Sequence, residues 1–326
     1  MLDEKILAVL RRSAEGHVSS EELCKLAGIS RAAIWKHIEK LRQEGYEIEA
    51  SPHLGYRLIA VPDRLIPSEV KWAINTKIIG KEILSYKKVD STNDVAYKLA
   101  EKGMKEGCVI FAEEQERGKG RHGRNWLSPP HTGIYLSFIL RPEIAPNEIA
   151  RITLLAAVCV AKAIRGATGL SAMIKWPNDI IVNGRKICGI LTEMKAEQDR
   201  VDFLIVGIGV NVGTNERSLP KGASSIRVEL RRAGRTMTHP SRLEIARRIL
   251  EEVERHYIRL NKSGFKAIMD DWKHLSSMPG SRIKVAMQTR SLEGIVHDID
   301  ENGALIVRLD SGILEAVSSG DIIMVR

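Results

Sequence analysis

Residues 115–126 read Q-E-R-G-K-G-R-H-G-R-N-W, from Gln115 to Trp126, and this stretch decides how the rest of the 326-residue chain is read. Arg117, Lys119, Arg121 and Arg124 alternate with Gly118, Gly120 and Gly123, and no acidic residue occurs between Arg117 and Arg141. Cations packed this closely repel one another, and the glycines make the segment entropically costly to order. The loop is therefore expected to stay mobile until an anion neutralises it. Glycine lets backbone N–H groups approach a phosphate and arginine offers its oxygens a planar donor fork, so closure over a polyphosphate is one reading. A solvated basic turn or a nucleic-acid-binding arm is the other. Residues 133–140 (GIYLSFIL) favour the first, because an apolar strand signal there anchors the loop on a buried sheet.

The next informative segment is Ile174-Lys175-Trp176-Pro177-Asn178-Asp179. Strand alternation puts Lys175 on the opposite face from Ile174 and Trp176, where it must reach water or meet an anion. A snorkelling lysine satisfies this rule alone; a basic glycine loop on the same sheet shifts the reading toward anion binding. Asp90-Ser91-Thr92-Asn93-Asp94 opens a helix, and two readings stay open: Ser91 or Thr92 caps it with Asp94 completing a box, or the turn offers hydroxyls and an amide to a polar ligand. Gly207-Ile208-Gly209-Val210-Asn211 follows a strand but lacks the third glycine and prompt helix of a dinucleotide site. No Walker A sequence, zinc spacing or nucleophile elbow is present.

Composition sets the outer bounds. With 44% hydrophobic and 28% charged residues the chain is of ordinary globular type, and its net charge of +9 favours anionic partners. Cys24, Cys108, Cys159 and Cys188 are far apart, as expected of reduced thiols in a cytoplasmic protein rather than of a disulfide frame. The start is polar, unlike a signal peptide, and the longest apolar run (154–161) is too short to span a bilayer, so no membrane association is expected.

Three domains are expected: 1–62, 63–276 and 277–326. In the first, helical spacing of Leu2, Ile6, Val9 and Leu10 is followed by a helix from Ser20 or Glu21 to Leu26, a turn at residues 27–30, and a third helix over 31–44. Ser19 or Ser20 and then Ser30 are the expected caps. This is the helix-turn-helix pattern, and residues 47–59 suit a two-stranded wing. The unit holds nine Lys and Arg against nine Asp and Glu, so DNA binding must come from local placement and from two copies; use of the shape for protein contacts is the competing reading. The second domain alternates strands at 83–89, 108–112, 133–140, 172–176, 180–194 (broken by an Asn183-Gly184 hairpin) and 201–212 with helices at 92–102 and 149–167. A polar loop to Ser225 and an Arg/Glu-rich surface helix over 241–262 complete it. Five short strands separated by turns at 302–303, 311–312 and 319–320 give the third, a small barrel.

Taken together, these segments resemble the bifunctional biotin–protein ligases that also repress biotin operons. The resemblance spans essentially the whole chain. It rests on Gly118 to Trp126, on Lys175 to Asp179, on Asp90 to Asn93 and on Ser30 to His37. It implies a winged helix-turn-helix, a central mixed-sheet α/β ligase domain of class II synthetase type and an SH3-like barrel. It also implies that biotin and ATP, with Mg²⁺, form biotinyl-5′-adenylate, and that biotin then passes to a lysine of a biotin carboxyl carrier protein. Ser91, Thr92, Asn93, Gln115, Lys119, Gly120, Arg121 and Lys175 are implied at biotin, with Lys175, Arg121 and Lys119 catalytic. Arg124, Trp126, Asn178 and Asn211 fall to the adenylate, residues 213–225 close over adenine, and Asp179 is a candidate base for the acceptor lysine. No metal is expected on protein side chains alone. DNA contact falls to Ser20, Ser30, Arg31, Ala32, Ala33, Trp35, Lys36, His37 and Lys40, in a homodimer on operator DNA. Lys119 stands where the family usually has arginine, keeping the charge but losing the fork. The alternatives are a metabolite-sensing transcription factor with a weak ligase-like domain, and a lipoate or octanoate ligase.

Overall fold

A computed structural model describes residues 2–13, 16–235, 241–287 and 290–325, which divide into two compact units, residues 1–64 and 65–326. In the first unit, α1 (Leu2–Arg12) buries Ile6, Leu7 and Leu10. The next helix, α2 (Ser20–Ala27), is capped by Ser19, whose hydroxyl accepts from the Glu22 N–H, and ends at Gly28 in the left-handed conformation. Ser30 likewise caps α3 (Arg31–Gln43), accepting from the Ala33 N–H, and Ile34, Ile38 and Leu41 turn inward. Two antiparallel strands, β1 (Glu47–Ser51) and β2 (Gly55–Ala60), form the wing. Val18 and Tyr56 exchange backbone hydrogen bonds, which fastens the wing to the helices.

The second unit begins with a short helix, α4 (Pro67–Trp72). Seven strands follow, interleaved with helices: β3 (Ile83–Tyr86), α5 (Thr92–Glu101), β4 (Val109–Ala112), β5 (Gly133–Leu140), α6 (Ile149–Thr168), β6 (Met173–Lys175), β7 (Asp179–Val182), β8 (Arg185–Glu197) and β9 (Arg200–Asn211). They pair in the order β3-β4-β5-β9-β8-β7-β6, parallel only between β3 and β4, which makes the sheet mixed. One face carries Phe111, Leu136, Phe138, Val206 and Ile208 into the main core, to which α6 also contributes. The other carries Ile110, Ile139, Phe203 and Ile205 onto α5.

Strand alternation explains where the site sits. On the α5 face of β9, Phe203 and Ile205 are followed at the same period of two by Gly207, Gly209 and Asn211. Large side chains stand where the helix covers the sheet, and glycines stand where it stops.

Three short or late helices were not anticipated from the sequence: α4, α7 (Ile226–Arg232) and α9 (Lys266–Leu275). The Arg/Glu run forms α8 (Arg242–Ser263), which is less superficial than its composition suggests. Its Ile249, Val253 and Tyr257 are buried, and its Glu254 carboxylate accepts the N–H groups of Lys77, Ile78 and Ile79. The C-terminal strands β10 (Arg282–Ala286), β11 (Ser291–Ile299), β12 (Leu305–Arg308), β13 (Leu314–Val317) and β14 (Asp321–Met324) form an antiparallel sheet ordered β13-β12-β11-β10-β14. Trp176 fixes this sheet to the larger one, its buried indole donating to the Gly303 carbonyl at 3.0 Å. No helix among the described residues is long and apolar enough to cross a membrane.

Candidate active site

A cleft of about 500 Å³ opens on the α5 face of the large sheet. The sequence motifs lie far apart in the chain, yet Ser91, Thr92, Asn93 and Gln115 line it together with Lys119, Gly120, Arg121 and Arg124. Trp126, Lys175, Asn178 and Asn211 complete the twelve, and Asp179 lines it as well.

One end is polar and uncharged. Ser91 holds the N-cap position of α5, but its hydroxyl makes no capping bond. Asp94 does not complete a box either, because it binds Lys119. The Gln115 carboxamide oxygen accepts from the Thr92 N–H at 2.8 Å and from its hydroxyl at 3.1 Å, while its nitrogen donates to Ser128 at 2.8 Å. Asn93 lies against Gly207, where a Cβ would come within 2.8 Å of its Cγ. Its nitrogen donates to Glu193 at 2.6 Å and its oxygen accepts from the buried Ser137 hydroxyl at 2.6 Å.

The basic stretch is a small hairpin flap. The Trp126 N–H donates to the Gly118 carbonyl and the Gly120 N–H to the Arg124 carbonyl, both at 2.7 Å, while His122 and Gly123 turn the tip with positive φ. Gly118 is buried so tightly that a Cβ would lie 2.8 Å from the Ser128 hydroxyl. The expectation of an unneutralised flap needs correction. Lys119 binds Asp94 and sits 3.6 Å from Glu193; Arg124 binds Asp321 of β14; Arg117 lies 3.9 Å from Asp90. The hydrogen bond to Asp94 raises the Lys119 amine above its usual range. Burial alone would push Asp321 up, but Arg124, with His122 and Arg121 nearby, holds it below the usual carboxylate range. Among the described residues the Arg121 guanidinium hydrogen-bonds the Asn178 carboxamide alone, at 3.3 Å, and burial pulls it down from the ordinary arginine value against the opposing charges of Asp321 and Asp179.

The other end of the cleft is cationic. Trp126 lies on Gly209, and a Cβ there would fall 2.6 Å from its Cε2. Lys186 stands over the indole at 5.4 Å and forms an ion pair with Asp179 at 2.6 Å. The Lys175 side chain makes no ion pair or hydrogen bond among the described residues, although its backbone pairs with Asp179 in the sheet. Sequence reasoning missed Lys186, although a signal existed: the Asn183-Gly184 hairpin pairs Lys186 with Ile181, on the same strand face as Asp179. Glu193, Gly207 and Gly209 were missed too, because their roles depend on what packs against them.

The loop after β9 borders this end through residues 219–223. The Lys186 N–H donates to the Gly222 carbonyl at 3.0 Å, the Ser224 N–H donates to the Lys186 carbonyl at 2.8 Å, and the Asn211 side chain donates to the Ser224 carbonyl at 3.1 Å. Beneath, the buried carboxylate of Glu229 accepts from Arg185 at 2.9 Å, Ser224 at 2.5 Å, Asn183 at 3.0 Å and Arg232 at 2.8 Å. Burial alone would raise that carboxyl, but these donors hold it at about 2.

In the first unit, Arg31, Ala32, Trp35, Lys36 and Lys40 are exposed on α3, and Trp35 is 54% exposed. Arg31 and Lys36 have no partner among the described residues. Asp3 of α1 engages His37 and Lys40, each at 2.6 Å. Ser30 serves as the cap, Ala33 donates to it, and Ser20 is the first residue of α2.

Comparison with known proteins follows the same three parts. Residues 3–57 match an HTH domain, residues 85–211 the biotin/lipoate A/B protein ligase family, and residues 280–325 the biotin protein ligase C terminal domain. The chain is 36% identical to the bifunctional ligase/repressor BirA of Bacillus spizizenii over 98% of its own length and 97% of that protein. It is 30% identical to the protein of the same name in Escherichia coli, over 98% and 95% respectively. A biotin protein ligase from Aquifex aeolicus, solved with biotin and ATP, aligns with a TM-score of 0.62 at 26% identity, covering 76% of this chain and 99% of that one.

Proposed function

The chain belongs to the bifunctional biotin ligase/repressors, and from that premise we propose how its cleft and its helix-turn-helix unit divide the work. It is an ATP-dependent biotin–protein ligase and a repressor. The observation that carries the residue-level reading is the segregation of charge along one cleft. At the polar end, the Ser91 hydroxyl, one N–H of Gln115 and one lone pair of Asn93 have no partner among the described residues. Together they complement the C=O and N–H groups of a cyclic urea. At the other end the Lys175 and Arg121 side chains have no close carboxylate among the described residues, and Lys186 is paired with Asp179. A biotin molecule bound with its ring at the polar end delivers its carboxylate to those cations.

In the first step, a carboxylate oxygen attacks the α-phosphorus of ATP and pyrophosphate leaves. Two anions meet there, so the chain's contribution is placement and charge neutralisation. We assign that to Lys175, Lys186 and Arg121, with Lys119 and Gly120 closing over the ring. Arg124, Trp126, Asn178 and Asn211 hold the nucleotide, and the loop over 213–225 covers adenine. Mg²⁺ would arrive on the phosphates; Asp179 and Asp321 line that end and supply the oxygen donors such an ion takes, though each is already paired with a cation. In the second step a lysine amine of a biotin carboxyl carrier domain attacks the acyl carbon and AMP leaves, with Asp179 placed to take the proton.

The division at 1–62, 63–276 and 277–326 gives these parts their work in a cytoplasmic homodimer. Closing the flap on the adenylate exchanges its carboxylate partners for the ligand, and a ligand that favours the closed flap also favours any dimer whose interface includes it. Two recognition helices roughly 34 Å apart then match a palindromic operator.

Biotin-dependent ATP–pyrophosphate exchange, followed by transfer of labelled biotin to a carrier domain, tests the ligase sites. Lys175→Ala and Lys186→Ala should each lower exchange by about two orders of magnitude or more with the thermal midpoint preserved. Near-normal exchange in either variant removes that lysine from the assignment. Faster exchange with lipoate than with biotin overturns the substrate.

A further inference from the structure

We propose that Glu193 is a positioning residue for biotin: it fixes which way the Asn93 amide faces, so that the site presents an oxygen to an N–H of the ligand. The inference rests on the biotin reading above and goes beyond it. Glu193 does not line the cleft and acts through its neighbour.

The argument is one of hydrogen-bond capacity. An ionised carboxylate only accepts, so the atom of Asn93 that lies 2.6 Å from Glu193 must be the nitrogen. The second N–H of that nitrogen reaches the Leu191 carbonyl at 3.4 Å, which uses both donors. The oxygen meets the Ser137 hydroxyl, whose one proton it shares with the Thr92 hydroxyl, and keeps one lone pair. Turning the amide over would set oxygen against oxygen at the Glu193 contact, with no proton between them. Gly207 leaves room for the amide on the sheet, since a Cβ there would stand 2.8 Å from Asn93 Cγ. The other Glu193 oxygen lies 3.6 Å from the Lys119 amine, so a single carboxylate sets both the amide and the root of the flap.

The test is a reciprocal exchange, read as the biotin KM and kcat of pyrophosphate exchange across pH 6 to 8. Asn93→Asp should place two carboxylates in contact and raise the biotin KM about tenfold or more at pH 8. It should recover partly toward pH 6, as one proton comes to be shared. Glu193→Gln alone should raise KM only a few-fold, because a glutamine oxygen can still accept. Combining Asn93→Asp with Glu193→Gln restores a donor facing an acceptor, and KM should return to within about threefold of wild type without the pH trend. A purely structural role predicts no such rescue. A double variant no better than Asn93→Asp at wild-type thermal midpoints, or an Asn93→Asp enzyme with unchanged KM, overturns the proposal. Should Asn93→Asp not fold, Glu193→Leu against Glu193→Gln decides: the leucine must raise KM well above the glutamine, and equal values overturn it. Wild-type enzyme lacking biotin-dependent exchange would sink the biotin reading; failed rescue in an active enzyme sinks only the role of Glu193.

Discussion

Gly209→Ala is the most economical probe of the adenylate end of the cleft, because it adds one methyl group at a position whose backbone accepts it. Gly209 lies inside β9 in ordinary extended conformation, so alanine carries no φ penalty there. Shrinking the freedom of the unfolded chain should itself stabilise by roughly 0.4–1 kcal/mol. Against this stands the Trp126 indole: the new Cβ would lie 2.6 Å from Cε2 and 3.0 Å from Cδ1. Carbon contacts settle near about 3.5–4.0 Å, so the ring must withdraw by about 1 Å. Trp126 ends the flap hairpin and carries Lys186 on its face, and both move with it. Misplacement of a catalytic arrangement by about 1 Å costs on the order of a hundredfold in rate. The expected outcome is a split signature: biotin-dependent pyrophosphate exchange down about a hundredfold, with the thermal midpoint near wild type. Wild-type exchange in a folded Gly209→Ala protein would refute the claim that this glycine exists to seat the tryptophan.

Two further predictions address stability and DNA. Glu229 is held at about 2 against an ordinary 4.5, so its ionised form favours the folded state; that contribution is full above pH 4.5 and is lost as pH falls toward 2. Glu229→Gln should therefore cost on the order of 3 kcal/mol at pH 7 and flatten the acid limb of the stability profile, measured by denaturant unfolding at a series of pH values; an unchanged acid limb contradicts the assignment. On α3, Lys36 has no partner among the described residues while Lys40 is held by Asp3 at 2.6 Å, so Lys36→Ala should lower the salt slope of binding to a random-sequence duplex by about one and Lys40→Ala by less. Equal losses would show that Asp3 releases Lys40 on DNA.

Elements with local signals were legible in the sequence. Serine caps, the left-handed glycine after α2 and the Asn-Gly turn between β7 and β8 each act within a few residues, and the elements they bound fall where periodicity puts them. The motifs at Ser91–Asn93, Gly118–Trp126 and Lys175–Asp179 were legible because residue type and order suffice to find them. Pairings across the fold were not. Arg124 and Asp321 are 197 residues apart, and nothing near either announces the other. The absence of acidic residues around the flap suggested an unneutralised loop, whereas its carboxylates come from α5, β8 and β14. Gly207 and Gly209 look like half of a nucleotide motif in one dimension. In three dimensions they are vacancies for Asn93 and Trp126, a role that depends entirely on what lies above the strand.

Those pairings change the account of how the flap engages a ligand. A flap whose cations had no partners would have to be drawn from disorder each time, and a large share of the ligand's binding energy would go into ordering it. Here Lys119, Arg124 and Arg117 already have carboxylates, in contacts that remain partly exposed. Exposed pairs of this kind contribute roughly 0.2–1 kcal/mol each, while a hydrogen bond to a fully charged group in a closed site is worth roughly 1.5–3 kcal/mol. On these magnitudes a polyphosphate reaching Arg124 would displace Asp321 by an exchange of partners, with little new ordering of the chain. Lys119 is different, since it has two carboxylate partners, Asp94 and Glu193, beside the Asn93 end of the cleft. Its two carboxylates hold the root of the hairpin, whereas Arg121 beyond it hydrogen-bonds the neutral Asn178 carboxamide.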